Sequence, residues 1–220
     1  MLTKIELARE FCARLEKIYP DAQCALEAGG EAWKLLIMGR LSAQCTDARV
    51  NIVCRELFEV YPSAEAIADA DLASLEEIVR PCGLYKTKAK NIKDACRMLV
   101  DDYHGVLPDT MEELLTFPGV GRKIANLLLG DVYHKPAIVT DTHCIRICGR
   151  IGLYPELLKD PAKVEKILVP LIEPEKSSDF CHRLVIFGRD TCTARSPSCA
   201  APNGANCPMA DICAHYKQTN

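Results

Sequence analysis

Two hundred and twenty residues, 49% hydrophobic and 26% charged, suffice for one or two domains that bury a core unaided, and they exclude disordered and fibrous classes. No apolar run approaches the roughly 18 residues of a membrane span. The first eleven residues, to Phe11, mix charge into an amphipathic helix unlike a signal peptide, so a cytoplasmic chain with no membrane contact is expected. The net charge of −3, from 27 basic and 30 acidic side chains, announces no nucleic-acid binder globally.

Helical periodicity runs nearly throughout and no alternating strand pattern appears, so the expected fold class is all-α. Thr3 and Glu6 form a capping box for a first helix reaching about Tyr19, with Ile5, Ala8, Phe11, Cys12, Leu15 and Ile18 on one face. Further helices are expected near 31–40, 47–58, 64–68 and 72–79. A helix over 86–103 buries Ala89, Ile92, Cys96, Leu99 and Tyr103, turns its lysines outward and ends at Gly105, a natural C′ glycine.

The segment 109–130 is the most informative. A helix capped by Asp109 or Thr110 stops at Pro118, Pro-Gly-Val-Gly turns the chain, and a second helix starts near Arg122 with Ile124, Ala125, Leu127 and Leu128 apolar. This is a helix-hairpin-helix pattern. A short apolar extended run follows at 137–139, then Thr140-Asp141-Thr142-His143 and a helix to about Ile151. Asp160 caps a helix with Pro161 in its first turn, and another runs over about 178–187.

Charge is locally uneven. Lys86, Lys88, Lys90, Lys93 and Arg97 face Asp94 alone between 83 and 97, and Arg122, Lys123, Lys135, Arg146 and Arg150 face Asp131 and Asp141 between 117 and 150. Such segments let an acidic chain hold a phosphate backbone on one face, although solvated helix faces would read the same way. Gly119 and Gly121 permit a tight turn that exposes amide groups at a helix start, a site suited to a backbone phosphate read without regard to sequence. Lys123 sits in the first turn against the positive end of the helix dipole and beside Arg122, surroundings that favour the neutral, nucleophilic amine. Asp141 stands at the junction of the extended run and a helix, where it can hold charge or act as a base. A Lys–Asp pair of this kind suits attack on a sugar C1′, with the carboxylate stabilising the cationic transition state. A phosphate-contacting lysine and a helix-capping aspartate are the plainer readings.

Thirteen cysteines stand in a chain without secretory features. Nine are scattered, mostly at helical apolar positions where a thiol acts as a small hydrophobe, Cys144 and Cys148 among them. Cys192, Cys199, Cys207 and Cys213 crowd a segment rich in proline and glycine, and suit either tetrahedral zinc or an iron–sulfur cluster.

Taken together, Leu41-Ser-Ala-Gln-Cys-Thr-Asp47, Gly83-Leu-Tyr-Lys-Thr-Lys-Ala89, Phe117-Pro-Gly-Val-Gly-Arg-Lys123, Val139-Thr-Asp-Thr-His143 and the tail cysteines resemble the endonuclease III family in order and spacing. The resemblance implies a bifunctional DNA glycosylase and AP lyase of base excision repair, a monomer acting on double-stranded DNA that contains oxidised pyrimidines or abasic sites. It implies a helix-hairpin-helix domain at 25–135, inserted into a cluster domain formed by 1–24 and 136–220, with DNA in the cleft between them. By position, Lys123 matches the family's Schiff-base lysine and Asp141 its catalytic aspartate. Gln44 and Leu84 match residues that enter the duplex around an extruded nucleotide, where inserted side chains help offset unstacking. Further DNA contacts fall on Lys86, Lys88, Gly119, Val120, Gly121, Arg122 and Arg195.

The resemblance also selects a 4Fe-4S cluster on Cys192, Cys199, Cys207 and Cys213. The chain departs from the family's Cys-x6-Cys-x2-Cys-x5-Cys in the middle, where Ala200 to Asn206 put seven residues in place of two; Pro-Asn-Gly turn chemistry would let them loop out. The loop between the first two cysteines carries one charge, Arg195, where the family's is strongly basic, so weaker electrostatics are expected there. His143 is read as orienting structure. Two alternatives stand beside this reading. A non-catalytic helix-hairpin-helix module with a metal-held tail would leave Lys123 and Asp141 unexplained, and an adenine-specific glycosylase of the same superfamily lacks the lysine at position 123.

Overall fold

A computed structural model describes residues 2–200 and 207–219, and among these it contains α-helices and short 3-10 turns but no strand. The expected loop-out between Cys199 and Cys207 lies almost wholly outside the described residues. The chain divides into two compact units, Cys24–Tyr133 and the combination of Met1–Gln23 with His134–Asn220.

The Cys24–Tyr133 unit holds α2 (Ala32–Leu41), α3 (Asp47–Val60), α4 (Ala64–Asp69), α5 (Leu72–Val79), α6 (Tyr85–Asp101), α7 (Met111–Leu114) and α8 (Arg122–Asp131). Thr46, Ser63, Asp71 and Thr110 each accept the amide three residues on, the side-chain caps that start α3, α4, α5 and α7 and stabilise each by about 1 kcal/mol. α2 buries Leu35, Leu36, Ile37 and Met38 in succession, and it packs against α3, α6 and α8. A helix apolar all round belongs at the centre of its unit.

The second unit holds α1 (Lys4–Ile18), α9 (Thr142–Ile151), α10 (Pro161–Leu168), α11 (Ser177–Asp190) and α12 (Ala214–Thr219). The Thr3–Glu6 capping box forms, and Asp160 caps α10 with Pro161 in the first turn. Ile5 and Ile18 leave the expected buried face: they are 51% and 39% exposed, because the packed stripe of α1 is only Ala8, Phe11 and Leu15. That stripe meets α11, where Phe11 lies edge-on to Phe180 and Phe187 with ring centroids 6.0 and 6.4 Å away. The run at 137–139 is extended but joins no ladder. Side chains of α11 replace a neighbouring strand: Ala137 N–H donates to Ser177 Oγ at 2.9 Å and Val139 N–H to Cys181 Sγ at 3.2 Å.

Most of the scattered cysteines are core, as expected. Cys54, Cys96, Cys144, Cys148 and Cys181 are buried, and burial pushes the Cys54 and Cys96 thiols up to about 12, which keeps them inert.

Candidate functional site

The hairpin between α7 and α8 uses its two glycines for different reasons. Gly119 has φ +77°, and a Cβ there would meet Arg40 Nε at 2.5 Å, Arg40 Cδ at 2.7 Å and Asn91 Oδ1 at 2.8 Å. Arg40 and Asn91 are themselves joined, Nε to Oδ1 at 3.0 Å, and so brace the turn from behind. Gly121 instead has an ordinary φ of −106°, and a Cβ on it would enter open space. The turn therefore needs Gly119 alone; a side chain at 121 would lie on the outer surface. Gly119→Ala is expected to destabilise the fold by about 2–3 kcal/mol, from left-handed strain and the Arg40 contact, whereas Gly121→Ala costs under about 1 kcal/mol, as urea unfolding would measure.

Gly121 caps α8 without a side chain; its carbonyl takes the Ile124 N–H at 2.9 Å, and the positive end of the helix dipole lies at the Arg122–Lys123 start. Arg122 and Lys123, both exposed, occupy that first turn. Val120 does not join them. Its side chain is buried and its N–H donates to Phe117 O at 3.0 Å, so it anchors the turn and offers no donor to a ligand.

Gln44 and Leu84 are both exposed, and both adopt left-handed backbone, with φ +55° and +50°. Leu84 is 60% exposed. For a residue with a Cβ this conformation costs roughly 1–2 kcal/mol and marks a position held by its surroundings. Lys88 bonds the backbone close to both. Expected on an outward face, it is fully buried, and its ammonium donates to Leu41 O at 2.8 Å, Ala43 O at 2.7 Å and Cys82 O at 2.8 Å. Three donors meet three carbonyls, and burial pushes the group below the usual lysine range. Lys88 is thus excluded as a phosphate contact. The sequence signal was present: position 88 falls on the apolar stripe of Ile92, Ala95 and Leu99.

Other cations of the two positive segments are likewise engaged by the protein itself. Lys93 donates to Ala68 O and Ala70 O, and Arg97 to Ala68 O and Asp69. Arg146 reaches Cys192 O at 2.9 Å and Gly188 O at 3.1 Å, and Arg150 reaches Thr193 O at 2.8 Å and Cys192 Sγ at 3.4 Å. Lys86 and Arg195 are exposed.

Asp141 caps α9, taking the Cys144 N–H on Oδ1 at 2.7 Å, which fixes the carboxylate at the helix start. Two residues on, His143 Nδ1 lies 3.2 Å from Arg146 Nη2, against the bare backbone of Gly188, where a Cβ would collide with the ring. That packing suits an orienting role for the histidine.

Cys192, Cys199, Cys207 and Cys213 line a single pocket, together with Ile147, Ile151, Phe187 and Met209. Arg14 ties the strand of chain after Cys207 to α1 through Pro208 O and a two-pronged pair with Asp211. Among the described residues, the sets of three ligand atoms lying within 4.8 Å of one another do not include these sulfurs. Tetrahedral zinc, with Zn–S near 2.3 Å, would draw them to about 3.8 Å. All four sulfurs nevertheless line the same pocket, which suits a tetrahedral four-thiolate centre such as zinc or an iron–sulfur cluster. Burial pushes the Cys207 thiol up to about 11 and Cys213 upward as well, so a positively charged centre is needed to hold them as thiolates. The arginines around this pocket, like Arg40 and Asn91 behind the hairpin, were not anticipated as part of the site.

The profile of the HhH-GPD superfamily of base excision DNA repair proteins matches residues 37–174, spanning the hairpin, Lys123 and Asp141. An endonuclease III from Synechocystis sp. is 41% identical over 214 residues, 97% of this chain and 94% of its own length. This chain belongs to the endonuclease III family. A non-covalent endonuclease III–DNA complex matches the fold with a TM-score of 0.90 and 40% identity, over 100% of this chain and 99% of the other. A trapped endonuclease III–DNA covalent intermediate matches with the same TM-score, identity and coverage.

Proposed function

We infer that this chain is a DNA glycosylase and AP lyase of base excision repair, and we propose that it removes oxidised pyrimidines from duplex DNA and then cleaves the strand 3′ to the abasic site. The observation that carries this reading is an exposed lysine, Lys123, in the first turn of a helix whose uncapped start adjoins the Gly119–Gly121 turn. The hairpin amides would grip a backbone phosphate, with Gly121 leaving room for it. Family membership supports DNA as the partner, and a relative trapped covalently on DNA supports catalysis through a covalent protein–DNA intermediate, for which the Lys123 amine is the proposed nucleophile.

In the proposed reaction the neutral Lys123 amine attacks C1′, the glycosidic bond breaks with its electron pair leaving on the base, and Asp141 stabilises the positive charge developing on the sugar. Ring opening gives an imine between Lys123 and C1′. The imine acidifies the C2′ proton; its removal drives out the 3′ phosphate, and water then releases the lysine. Gln44 and Leu84, held outward in left-handed backbone, would enter the duplex to occupy the gap and wedge the opposite strand. Lys86, Arg122 and Arg195 would lie on phosphates.

Cys192, Cys199, Cys207 and Cys213 would hold a 4Fe-4S cluster, which the family suggests and for which their shared pocket has the donors. Bound there, the cluster would supply positive charge that holds buried thiolates and ties the loop after α11 to α9 and α1. No described helix is long and apolar enough to cross a membrane. The protein would work as a monomer in the reducing compartment that holds the DNA.

The purified protein should contain about four irons and four sulfides per chain with broad visible absorption. It should release an oxidised pyrimidine from duplex DNA and nick abasic duplexes with no metal added. A fully loaded protein that leaves both substrates intact would leave only a non-catalytic duplex-binding role.

A further inference from the structure

The Ser42–Cys45 and Cys82–Leu84 segments come from separate places in the chain, yet each holds one exposed non-glycine residue in left-handed backbone. One ammonium joins them, beside a contact between the Cys45 and Cys82 thiols. Lys88 Nζ bonds Ala43 O, on the peptide plane that precedes Gln44, and Cys82 O, on the plane that precedes Gly83 and Leu84. Fixing the first plane restricts φ at Gln44. Fixing the second orients Gly83, itself at φ +69°, and through it the approach to Leu84. The third acceptor, Leu41 O, is the last carbonyl of α2, and Cys82 closes the 3-10 turn Arg80–Cys82. The cation therefore sits at the negative ends of two helical segments, which favours it where burial opposes it.

Local bonds complete each turn without fixing its placement against the other. Cys45 N–H donates to Ser42 O at 3.1 Å, Gly83 N–H to Arg80 O at 3.1 Å, and Lys88 N–H to Leu84 O at 3.0 Å. Between the turns, the ammonium adds three carbonyl bonds to the contact of the Cys45 and Cys82 thiols. We propose that Lys88 is a positioning residue for duplex insertion: by clamping three carbonyls it sets Gln44 and Leu84 together, in the conformation and spacing in which both side chains stand out to enter DNA. This rests on the reading of Gln44 and Leu84 as inserting residues.

The test uses the holoenzyme and a duplex carrying 2-aminopurine opposite a tetrahydrofuran abasic analogue, whose fluorescence rises when the base is unstacked. Cleavage of a single-stranded abasic oligonucleotide, which has no partner strand to wedge, reports the lysine chemistry separately. Lys88→Met, folded by circular dichroism and with its iron retained, is expected to give less than a third of the wild-type fluorescence rise while single-strand cleavage stays within about threefold. Leu84→Ala should likewise lower the fluorescence rise, and the double variant should lose no more of that rise than the greater of the two, as expected for residues acting as one unit. A folded Lys88→Met with a full fluorescence rise, where Leu84→Ala has none, overturns the positioning role. So does an equal loss on both substrates, which would mean a general structural defect. If Gln44→Ala and Leu84→Ala both leave the rise intact, the insertion reading itself fails, separately from Lys88.

Should Lys88→Met not fold, Lys88→Arg takes its place. A planar, longer guanidinium keeps the buried charge but cannot match three converging carbonyls. The expected result is again a fluorescence rise below a third of wild type with single-strand cleavage retained, and a full rise would overturn the clamp.

Discussion

Lys123→Ala should abolish the adduct that borohydride traps between the wild-type protein and abasic DNA, and should slow strand cleavage by at least about a thousandfold, equivalent to roughly 4 kcal/mol of barrier. The magnitude follows from the chemistry: without the amine no imine forms, and the C2′ proton keeps the low acidity of an ordinary sugar. The fold should be indifferent. Lys123 is exposed in the first turn of α8, and alanine is a strong helix former, so unfolding free energy is expected to stay within about 0.5 kcal/mol of wild type. Duplex binding should weaken only by the loss of one surface cation. A variant that traps as well as wild type would move the nucleophile to another amine.

The second large effect is expected at Asp141, where two roles of one carboxylate can be separated. Its Oδ1 accepts the Cys144 N–H, and asparagine caps a helix about as well as aspartate. Asp141→Asn should therefore leave stability within about 0.5 kcal/mol of wild type while base excision falls roughly 10²–10⁴-fold, the usual range for a lost charge or proton carrier at the reacting centre. Asp141→Ala should lose the same activity and, in addition, about 1 kcal/mol of stability. Excision of an oxidised base and urea unfolding, measured on both variants, distinguish these outcomes. If the asparagine variant excises bases at the wild-type rate, the residue is a cap and nothing more.

Local chemistry made much of this molecule legible. The Thr3–Glu6 box and the Asp160–Pro161 start depend on neighbours within four residues, and the structure forms both as read; the helix expected to run to Pro118 ends instead at Leu114, where the chain turns toward the hairpin. Gly119 was legible as a turn residue, although Arg40 and Asn91, which forbid a side chain there, come from α2 and α6. What failed was the assignment of long cationic side chains. Lys88, Arg146 and Arg150 look like surface charge in the sequence because a run of basic residues carries no sign of the carbonyls that will accept them. Those carbonyls lie at helix ends and in the cysteine loop, remote in sequence, and only folding brings them near. Val120 failed for a related reason: a motif read as amide donors does not reveal which N–H the turn itself takes. The six-residue α12 escaped because so short a helix has too few positions to establish a period.

The backbone at Gln44 and Leu84 also bears on how quickly the protein can engage its target. Their unusual dihedrals are established when the chain folds, so, on the proposed insertion, an arriving duplex would meet projections already in place, with no loop left to order. Encounter would then resemble the docking of a rigid body, and the slow part of recognition would pass to the DNA, which would have to open its stack around them.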